Sequence, residues 1–365
     1  MPKKIKNCFY KNLTFEKLLE AHYRARKNKT YKTEIIRFEL DLERNIINLL
    51  NNLKNGTYQI GEYRKFIIYE PKERVIKALP YIDRIVHQWY VEEFIKPYII
   101  PKFIKHSFAC LENRGTHKAV ETVQRAMRIY KRKNENYWIL KCDISKFFYS
   151  INPDILYRIM EKYIADKALL NFTKFLIYSD KSSKLGIPIG NYCSQYFANI
   201  YLHELDIFVK HNLHIKYYNR FMDDFVLLLD TKADCIRIKK EIEKFLNIHL
   251  KLKLNDKSKY YPSKMGVNYC GYRIFETHRL LRSNSKKKIK IKVKKWNKLY
   301  SKQSLNLEKA RCSFTSWLGH SSHCNSYKLQ KKILENCNFI YSNCTDRKIL
   351  DQIIELMENA YQNSY

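Results

Sequence analysis

The chain has 365 residues, with 69 lysines and arginines against 36 aspartates and glutamates, which gives a formal net charge of +33. Its apolar share of 45% is enough to build packed cores, so the composition excludes wholesale disorder and predicts about two or three domains. So large an excess of positive charge attracts polyanions, and it favours nucleic acid over an anionic membrane because no basic amphipathic anchor stands out.

Targeting and cysteine signals favour a cytoplasmic protein without membrane contact. The basic N-terminus has no apolar stretch long enough for a signal peptide, and no segment approaches the ~18 apolar residues of a membrane span. Ten cysteines are scattered without a CxxC pair, which is typical of reduced thiols. His320, His323 and Cys324 could seed a zinc site, but no fourth ligand is evident and ordinary packing is the better interpretation.

The first third of the chain reads as mainly helical. Apolar spacing predicts helices at residues 15–28 and 34–54, and Gly56 lies where a C-terminal cap belongs. Residues 58–69 predict a strand, and residues 83–96 predict a helix that Pro97 ends. Thr116 begins a further helix, which ends in a basic run at 131–133.

From residue 137 the pattern changes to strands alternating with helices. Strands are predicted at 137–143, 216–222, 225–229 and 268–275, and helices at Pro153, 193–210 and 232–249. This order is typical of an antiparallel sheet with helices on one face. After residue 281 the sequence is rich in lysine and reads as helical to its end.

The sharpest local feature is YNRFMDDFVLLLD, residues 218–230, in which Asp223 and Asp224 lie at a tight turn between apolar strands. Two buried like charges need a cation or hydrogen bonds to compensate them, although an Asp-Asp pair in a plain turn is common. Asp143 ends another apolar strand. If that strand lies beside the hairpin, three carboxylates meet at one sheet edge and can hold two Mg²⁺ ions for transfer of a nucleotide to a primer 3′-hydroxyl.

In order and spacing these segments resemble reverse transcriptases. DISKFFYSI (143–151) is similar to the first palm carboxylate motif of that family, and FMDD (221–224) to its YxDD turn, with Phe221 in place of the usual tyrosine. LNDKSKYYPSKMGVNYCGYRIF (254–275) is similar to the following lysine and primer-grip segments. The resemblance covers about residues 70–328.

The resemblance implies an α+β fold of the right-hand polymerase type, with an antiparallel palm sheet backed by helices and a helical thumb. The implied domains are a helical N-terminal extension at 1–57, fingers at 58–135, a palm at 136–280 with fingers elements inserted around 165–190, and a helical basic thumb at 281–365.

The resemblance also implies roles for single residues. Asp143, Asp223 and Asp224 are the implied catalytic residues and, together with Ile144, the metal ligands. Phe148 lies under the incoming sugar, where its ring would exclude a 2′-hydroxyl, whereas Phe147 is better explained as core. The implied nucleotide-binding residues are Arg74, Arg84, Ser145, Lys146, Phe147, Phe148, Ile189, Gly190, Asn191, Gln195 and Lys257, and the implied primer grip is Cys270, Gly271 and Tyr272. For each single cation, a solvated basic face is the alternative.

The segment GIPIGNYCSQYFANIYLHELD, residues 186–206, narrows the resemblance. Ile189 occupies the position of a glutamine in most reverse transcriptases, and the IGNxxSQ pattern is typical of diversity-generating retroelements, whose enzymes copy a template-repeat RNA and misincorporate opposite adenines. A glutamine could hydrogen-bond the nucleotide, whereas Ile189 makes only apolar contact, and one such bond is worth ~1 kcal/mol of discrimination. The alternative is that Ile189 only packs behind the loop.

The implied partners are an RNA template, a DNA or RNA primer, deoxynucleoside triphosphates, a noncoding RNA and a small basic accessory variability protein. Three other interpretations stay open: a retron or abortive-infection reverse transcriptase, a group II intron enzyme, and a catalytically silent RNA-binding protein. The short stretch after the palm disfavours the group II enzyme, and the intact set of three aspartates disfavours the silent binder.

Overall fold

The computed structural model describes residues 4–69 and 73–338. Residues 70–72 of the implied fingers and the part of the predicted helical thumb beyond residue 338 lie outside this range. The chain forms two compact units. Of the described residues, the first unit comprises 4–69, 73–115, 140–227 and 233–260, and the second comprises 116–139, 228–232 and 261–338.

Three helices open the first unit: α1 (Phe15–Arg26), α2 (Thr33–Glu39) and α3 (Leu42–Lys54). The single helix predicted at 34–54 is wrong, because Asp41 takes a non-helical conformation, with φ at −139°, and separates α2 from α3. Gly56 follows α3 with φ at +69°, as its predicted capping position requires. The Thr57 amide then donates to the Asn52 carbonyl at 3.0 Å, which closes the helix end.

An antiparallel hairpin follows, made of β1 (Arg64–Ile68) and β2 (Arg74–Ala78). The strand predicted at 58–69 is therefore confirmed only in its second half, and β2 was not predicted. The first half of the predicted strand does not join the sheet, because the Tyr58 hydroxyl and the Gly61 amide instead donate to the Asp83 carboxylate, at 2.5 and 3.1 Å.

The next helical run consists of α4 (Tyr81–Tyr90), a π-helical turn (Val91–Ile95) and α5 (Lys96–Tyr98). Pro97 was predicted to end the helix at residue 96, but it lies in the first turn of α5. Proline is tolerated there because it lacks only an N–H that needs no helical partner.

A four-stranded sheet carries the acidic motifs. Its strands are β3 (Trp138–Cys142), β4 (Tyr218–Phe221), β5 (Asp224–Leu229) and β6 (Lys259–Pro262), in the order β4–β5–β3–β6. The intervening helices are α7 (Phe147–Ser150), α8 (Pro153–Tyr163), α9 (Lys167–Ile177), α10 (Tyr192–Ile207), which runs into a π-helical turn (Phe208–Asn212), and α11 (Lys232–His249). The order places β3 directly beside β5, as the acidic site requires. Most residues of α10 are buried on all sides, so this helix runs through the core of the first unit.

The second unit holds α6 (Thr116–Lys131), β7 (Val267–Tyr269), β8 (Tyr272–Ile274), β9 (Arg279–Leu281), α12 (Ser283–Ser301), α13 (Leu307–Ser321) and α14 (Tyr327–Glu335). The single strand predicted at 268–275 is wrong: it is a hairpin whose turn, Cys270 and Gly271, has φ at 47° and 91°. The three C-terminal helices pack around Ile289, Phe314 and Ile333.

The described residues thus combine helices with antiparallel hairpins, which confirms the predicted α+β class. Their helices include none with both the length and the apolar character that a bilayer span requires. The nine cysteines of the described residues are free thiols, as expected.

Asp166 caps α9 and fastens the N-terminal segment to it. Its carboxylate accepts hydrogen bonds from the amides of Leu169 (3.1 Å), Cys8 (2.7 Å) and Phe9 (2.9 Å). Burial alone raises the pKa of Asp166, but the N–H donors outweigh burial and hold the pKa below its ordinary value. The resulting stability is fully present above the unfolded pKa of about 4 and is lost as the pH falls below it.

Asp166→Ala should therefore lower the free energy of unfolding at pH 7 by about 1–3 kcal/mol, because partly buried amides lose their acceptor. Urea denaturation of both proteins at pH 7 and pH 3 measures this loss, which should shrink at pH 3. Glu161→Gln, an exposed change on α8, is the control and should alter stability by less than about 0.5 kcal/mol. An equal loss at both pH values would contradict a role for the Asp166 charge.

Candidate active site

The β4–β5 hairpin presents two carboxylates at its turn. Phe221 pairs with Asp224, so Met222 and Asp223 form a two-residue turn, and Met222 has φ at +57°. Burial raises the pKa of Asp223 to about 6, and the charges of Asp143 and Asp224 add to the rise while Arg74 opposes it. Like charges shift a pKa only at short range. The structure therefore brings the three carboxylates singled out in the sequence to one site.

Asp143 is held by the chain segment that precedes β6. The Asn255 amide donates to the Asp143 carbonyl at 2.7 Å, and the Asn255 side-chain amide donates to the Asp143 carboxylate at 3.2 Å. The Asp143 amide donates to the Ser258 hydroxyl at 3.1 Å. These contacts fix the main chain and the side chain of Asp143 where β3 ends.

Asp224 faces a cation from the neighbouring strand. The Lys141 Nζ lies 2.9 Å from Asp224 Oδ1, and the two side chains are 20% and 28% exposed. Because the pair is partly shielded from water, Lys141 compensates part of the negative charge of the site.

The three carboxylates are candidate metal ligands. Across the described ranges, no three His, Cys, Asp or Glu side chains are arranged to share an ion as they stand. The donor chemistry nevertheless fits Mg²⁺, which prefers hard oxygen ligands. Besides burial, the charges of Asp143 and Asp224 raise the pKa of Asp223, and a bound divalent cation would compensate these charges.

The predicted phosphate-binding cations lie in different surroundings. Arg74 is exposed at the start of β2 and close enough to lower the pKa of Asp223. Arg84 instead pairs with Glu34 at 2.9 Å and donates to the Leu79 carbonyl at 2.8 Å. Lys257 is exposed in the turn two residues after Asn255, the partner of Asp143. Of these three cations, Arg74 is thus the one whose charge acts on Asp223 of the acidic turn.

The residues after Asp143 form a tight corner. Lys146 is exposed, with φ at 45°, and precedes α7, while the Ser145 amide donates to the Lys253 carbonyl at 3.0 Å. That amide is therefore engaged within the protein rather than turned to a triphosphate. Phe147 is buried, as expected of a core residue, and Phe148 is half-buried with its ring edge-on to Phe147 at 5.6 Å.

A loop holds Phe148 in place. The Ile187 amide donates to the Phe148 carbonyl at 2.9 Å. Gly186 has φ at +89°, and a Cβ there would lie 2.9 Å from the Tyr149 Cα, so only glycine permits this approach. The loop therefore fixes the backbone that carries the predicted sugar-selecting ring.

The IGNxxSQ loop packs on β2. The Lys77 amide donates to the Ile189 carbonyl at 2.8 Å, and a Cβ on Gly190 would lie 2.7 Å from the Lys77 carbonyl oxygen. The Ile189 side chain and Gln195 are half-buried. Asn191 is buried and donates to the Tyr63 hydroxyl at 2.8 Å. The loop is thus anchored to the strand that begins with Arg74.

The predicted primer-grip residues lie in the second unit. Cys270 and Gly271 form the β7–β8 turn, and the buried Tyr272 donates its hydroxyl to the His320 carbonyl at 2.7 Å. His320 and Cys324 make packing contacts, and Cys324 is buried with its thiol 3.2 Å from the Ser321 carbonyl. These are contacts of packed side chains, and the packing interpretation of the cluster stays a prediction.

Sequence reasoning missed Lys141 and Asn255, which contact Asp224 and Asp143. It also missed the buried ion pair between Arg220 of β4 and Asp206 of α10. The one signal available was the charged Arg220 in a strand whose other residues are uncharged, because a buried charge needs compensation. The partners of these residues lie far away along the chain, and nothing in their local sequence indicates them.

Comparison with known proteins agrees with this geometry. The profile of the family described as "Reverse transcriptase (RNA-dependent DNA polymerase)" matches residues 67–274, more than half of the chain, and this range includes all three carboxylates. Together with the mixture of helices and antiparallel hairpins, the match confirms the predicted right-hand polymerase class.

Two relatives are proteins encoded by introns. The group II intron-encoded protein LtrA of Lactococcus lactis subsp. cremoris is 26% identical, and the match covers 46% of this chain and 28% of that protein. The putative COX1/OXI3 intron 2 protein of Saccharomyces cerevisiae is 23% identical, with 37% and 23% covered. The chain therefore spans about a quarter of the length of these relatives.

Among solved structures, the chain is similar to two telomerases. Apo telomerase from Candida tropicalis, truncated from its C-terminal domain, has a TM-score of 0.42 at 13% identity, over 63% of this chain and 58% of that chain. Telomerase from Candida albicans in complex with the TWJ fragment of telomeric RNA has a TM-score of 0.43 at 11% identity, over 66% and 51%.

Asp143→Asn should lower the pKa of Asp223 from about 6 toward its ordinary value, because the amide removes a neighbouring like charge. Carboxyl ¹³C NMR titration of the metal-free protein measures the change. The control Glu161→Gln changes an exposed residue of α8 and should leave the pKa of Asp223 unaltered. If Asp143→Asn also left it unaltered, the two carboxylates would not be neighbours.

Proposed function

Because the chain belongs to the reverse transcriptase (RNA-dependent DNA polymerase) family, we propose that it synthesises DNA on an RNA template as the polymerase of a diversity-generating retroelement. The observation that carries the proposed activity is the grouping of Asp143, Asp223 and Asp224, in which burial and neighbouring charge raise the pKa of Asp223 to about 6. A protein that only binds RNA gains nothing from clustered carboxylates, because they repel phosphate. A polymerase needs them to bind cations at the reacting phosphate.

Two Mg²⁺ ions are the proposed cofactors, with Asp143, Asp223, Asp224 and the Ile144 carbonyl as ligands. The bridge between Ile144 and Leu254 is hydrogen-bonded through the flanking Asp143 and Ser145, so this bridge does not use the Ile144 carbonyl. When bound, the ions would activate the primer 3′-hydroxyl and neutralise charge on the triphosphate and the departing pyrophosphate. The chain itself contributes the fixed position of these oxygens, through Asn255, Ser258 and the hairpin turn.

The nucleotide site is proposed to surround this carboxylate group. Arg74 is the best-supported triphosphate ligand, because its charge already acts on Asp223. Ser145, Lys146, Phe147 and Lys257 are proposed to lie along the triphosphate. The Ser145 amide is not part of this proposal, because it already donates to the Lys253 carbonyl. Phe148 is proposed to exclude ribonucleotides by steric conflict with a 2′-hydroxyl, and its support from the 186–187 loop gives the ring a fixed backbone.

Low fidelity at template adenines is proposed to follow from the IGNxxSQ loop. Ile189 is half-buried and offers no hydrogen-bond donor or acceptor in its side chain. Gly190 and Asn191 anchor the loop to β2 and Tyr63, so the apolar side chain is presented from a fixed position. Gln195, on the first turns of α10, is proposed to line the same nucleotide site.

The remaining assignments extend this proposal to the nucleic acid and its partners. Residues 1–57 would form an N-terminal extension, 58–135 the fingers, 136–280 the palm, and 281–365 the thumb. The helix α12 buries Ile289 and Val293 while its lysines lie mostly on exposed positions, which suits binding to phosphates of an RNA–DNA duplex. The proposed primer grip consists of Cys270, Gly271 and Tyr272. A small basic accessory variability protein is the proposed protein partner, and the proposed location is the cytoplasm.

A group II intron reverse transcriptase is the second candidate, and the two intron-encoded relatives favour it. The sequence of the neighbouring DNA separates the two candidates. Two near-identical repeats that differ chiefly at adenines would support the retroelement, and flanking intron sequence without such repeats would support the second candidate.

Asp223→Ala and Asp224→Ala should each lower DNA synthesis on an RNA template by about 10³-fold or more, because they remove proposed metal ligands. Primer extension with deoxynucleotides measures synthesis, and filter binding measures RNA affinity, which should stay near the wild-type value. The matched control is Asp230→Asn, directly after the end of β5 that lies away from the acidic turn, and it should retain synthesis. Synthesis retained by either alanine variant would rule out the metal assignment.

Ile189→Gln should lower misincorporation opposite template adenine by about fivefold, the effect of one hydrogen bond of ~1 kcal/mol. Sequencing of primer-extension products made on an RNA template measures the error at each base. Ile189→Val keeps the apolar contact and should leave the error spectrum as in the wild type. An error spectrum unchanged by glutamine would remove Ile189 from the explanation of low fidelity.

A further inference from the structure

Arg220 lies on β4, two residues before Met222, and its side chain is completely buried. Its guanidinium forms a two-point ion pair with Asp206 of α10, through Nε to Oδ1 at 2.7 Å and Nη2 to Oδ2 at 2.6 Å. Asp206 is also fully buried. Burial alone would raise the pKa of Asp206, but Arg220 holds it at about 2, so both groups are charged at neutral pH.

A buried ion pair is a costly way to attach a strand to a helix. Two charges must leave water, and an apolar pair of similar size is often as stable or more so. Stability alone is therefore a weak reason for an arginine and an aspartate at these positions. The remaining guanidinium nitrogen, Nη1, donates hydrogen bonds that an apolar side chain could not make.

The Arg220 Nη1 donates to the Met222 carbonyl at 3.0 Å and to Asn199 Oδ1 at 3.0 Å. Met222 is the residue of the turn that has φ at +57°, a conformation that side chains other than glycine rarely adopt. The turn also carries Asp223, whose charge is opposed by Asp143 and Asp224. Strain thus acts on Met222, the residue that Arg220 holds, and repulsion acts on Asp223, the next residue.

The main chain of Arg220 is fixed on its other side. Its amide donates to the His106 carbonyl at 2.9 Å, and its carbonyl accepts from the Phe108 amide at 3.0 Å. The Tyr218 hydroxyl donates to Asp206 Oδ1 at 2.7 Å, which further orients the carboxylate that holds Arg220. The acidic turn is therefore connected through one side chain to the buried helix α10.

We propose that Arg220, oriented by Asp206 and Asn199, is a positioning residue that holds the Met222–Asp223 turn in the geometry required for metal binding and nucleotide transfer. The inference rests on the proposed polymerase function of the same site. Arg220 itself touches neither substrate nor metal and acts through the Met222 carbonyl.

Two variants of the full-length chain separate positioning from folding. Arg220→Lys keeps a positive charge for Asp206, but an ammonium group cannot span Asp206 and Met222 as a guanidinium does. Arg220→Met combined with Asp206→Leu replaces the ion pair by apolar side chains, a change that buried pairs often tolerate. Circular dichroism and thermal unfolding establish which variants are folded.

For folded variants, kcat of primer extension should fall by about 10- to 100-fold, while KM for the nucleotide and Kd for primer–template change less than about threefold. Mn²⁺ alone, titrated with detection by electron paramagnetic resonance, should bind about tenfold or more weakly to Arg220→Lys than to the wild type. The control is Glu204→Gln on α10, the helix that carries Asp206. It breaks an ion pair with Lys162 of α8, in which Glu204 Oε2 lies 2.6 Å from Lys162 Nζ, and should leave all these quantities unchanged.

A second comparison tests the strained turn. Glycine adopts a positive φ at little steric cost, so Arg220→Lys should lower kcat by a smaller factor in a Met222→Gly background than in the wild type. The same factor in both backgrounds would overturn the link between Arg220 and Met222.

The proposal is overturned if folded Arg220 variants bind Mn²⁺ and extend primers as the wild type does. It is also overturned if both variants fail to fold, because Arg220 would then be a structural residue. If the wild type and Glu204→Gln make no DNA, the proposed function fails, and the Mn²⁺ titration still decides the role of Arg220.

Discussion

Mutual repulsion between carboxylates is the constraint on which the site depends. Burial raises the pKa of Asp223, and the charges of Asp143 and Asp224 add to the rise, so the fold must supply the energy that keeps the three side chains together. It does so from separate directions: Asn255 and Ser258 hold Asp143, and Lys141 pairs with Asp224. These contacts keep the three carboxylates together, and the proposed cations would compensate their charge.

The same constraint explains why the site lies where it does in the fold. The acidic residues sit at the end of β3 and in the β4–β5 turn, and the sheet order makes β3 and β5 neighbours. Strand interiors are filled with apolar side chains, so the strand ends are where charges can gather without being wholly buried. The loop that carries Ile189 is hydrogen-bonded to β2, and β2 also carries Arg74. The same strand is therefore proposed to position the residue that affects fidelity and the residue that binds the triphosphate.

The sequence was sufficient to predict the acidic strand ends, the long helices and the α+β class, because these features are local and periodic. It could not reveal β2, which lacks a clear alternation, or the turn at Cys270 that divides a predicted strand in two. Nor could it pair Arg220 with Asp206 or Lys141 with Asp224, since such partners meet only through the sheet and α10. The use of the Ser145 amide by Lys253 likewise depends on tertiary structure.

Crystals of the full-length chain with an RNA template, a DNA primer, a non-reactive deoxynucleotide and Mn²⁺ test the central claim most directly. Anomalous difference maps locate the metal without reference to activity. We expect metal density bounded by the carboxylates of Asp143, Asp223 and Asp224, beside the primer end. A complex with ordered primer and nucleotide but no metal density among these side chains would contradict the account.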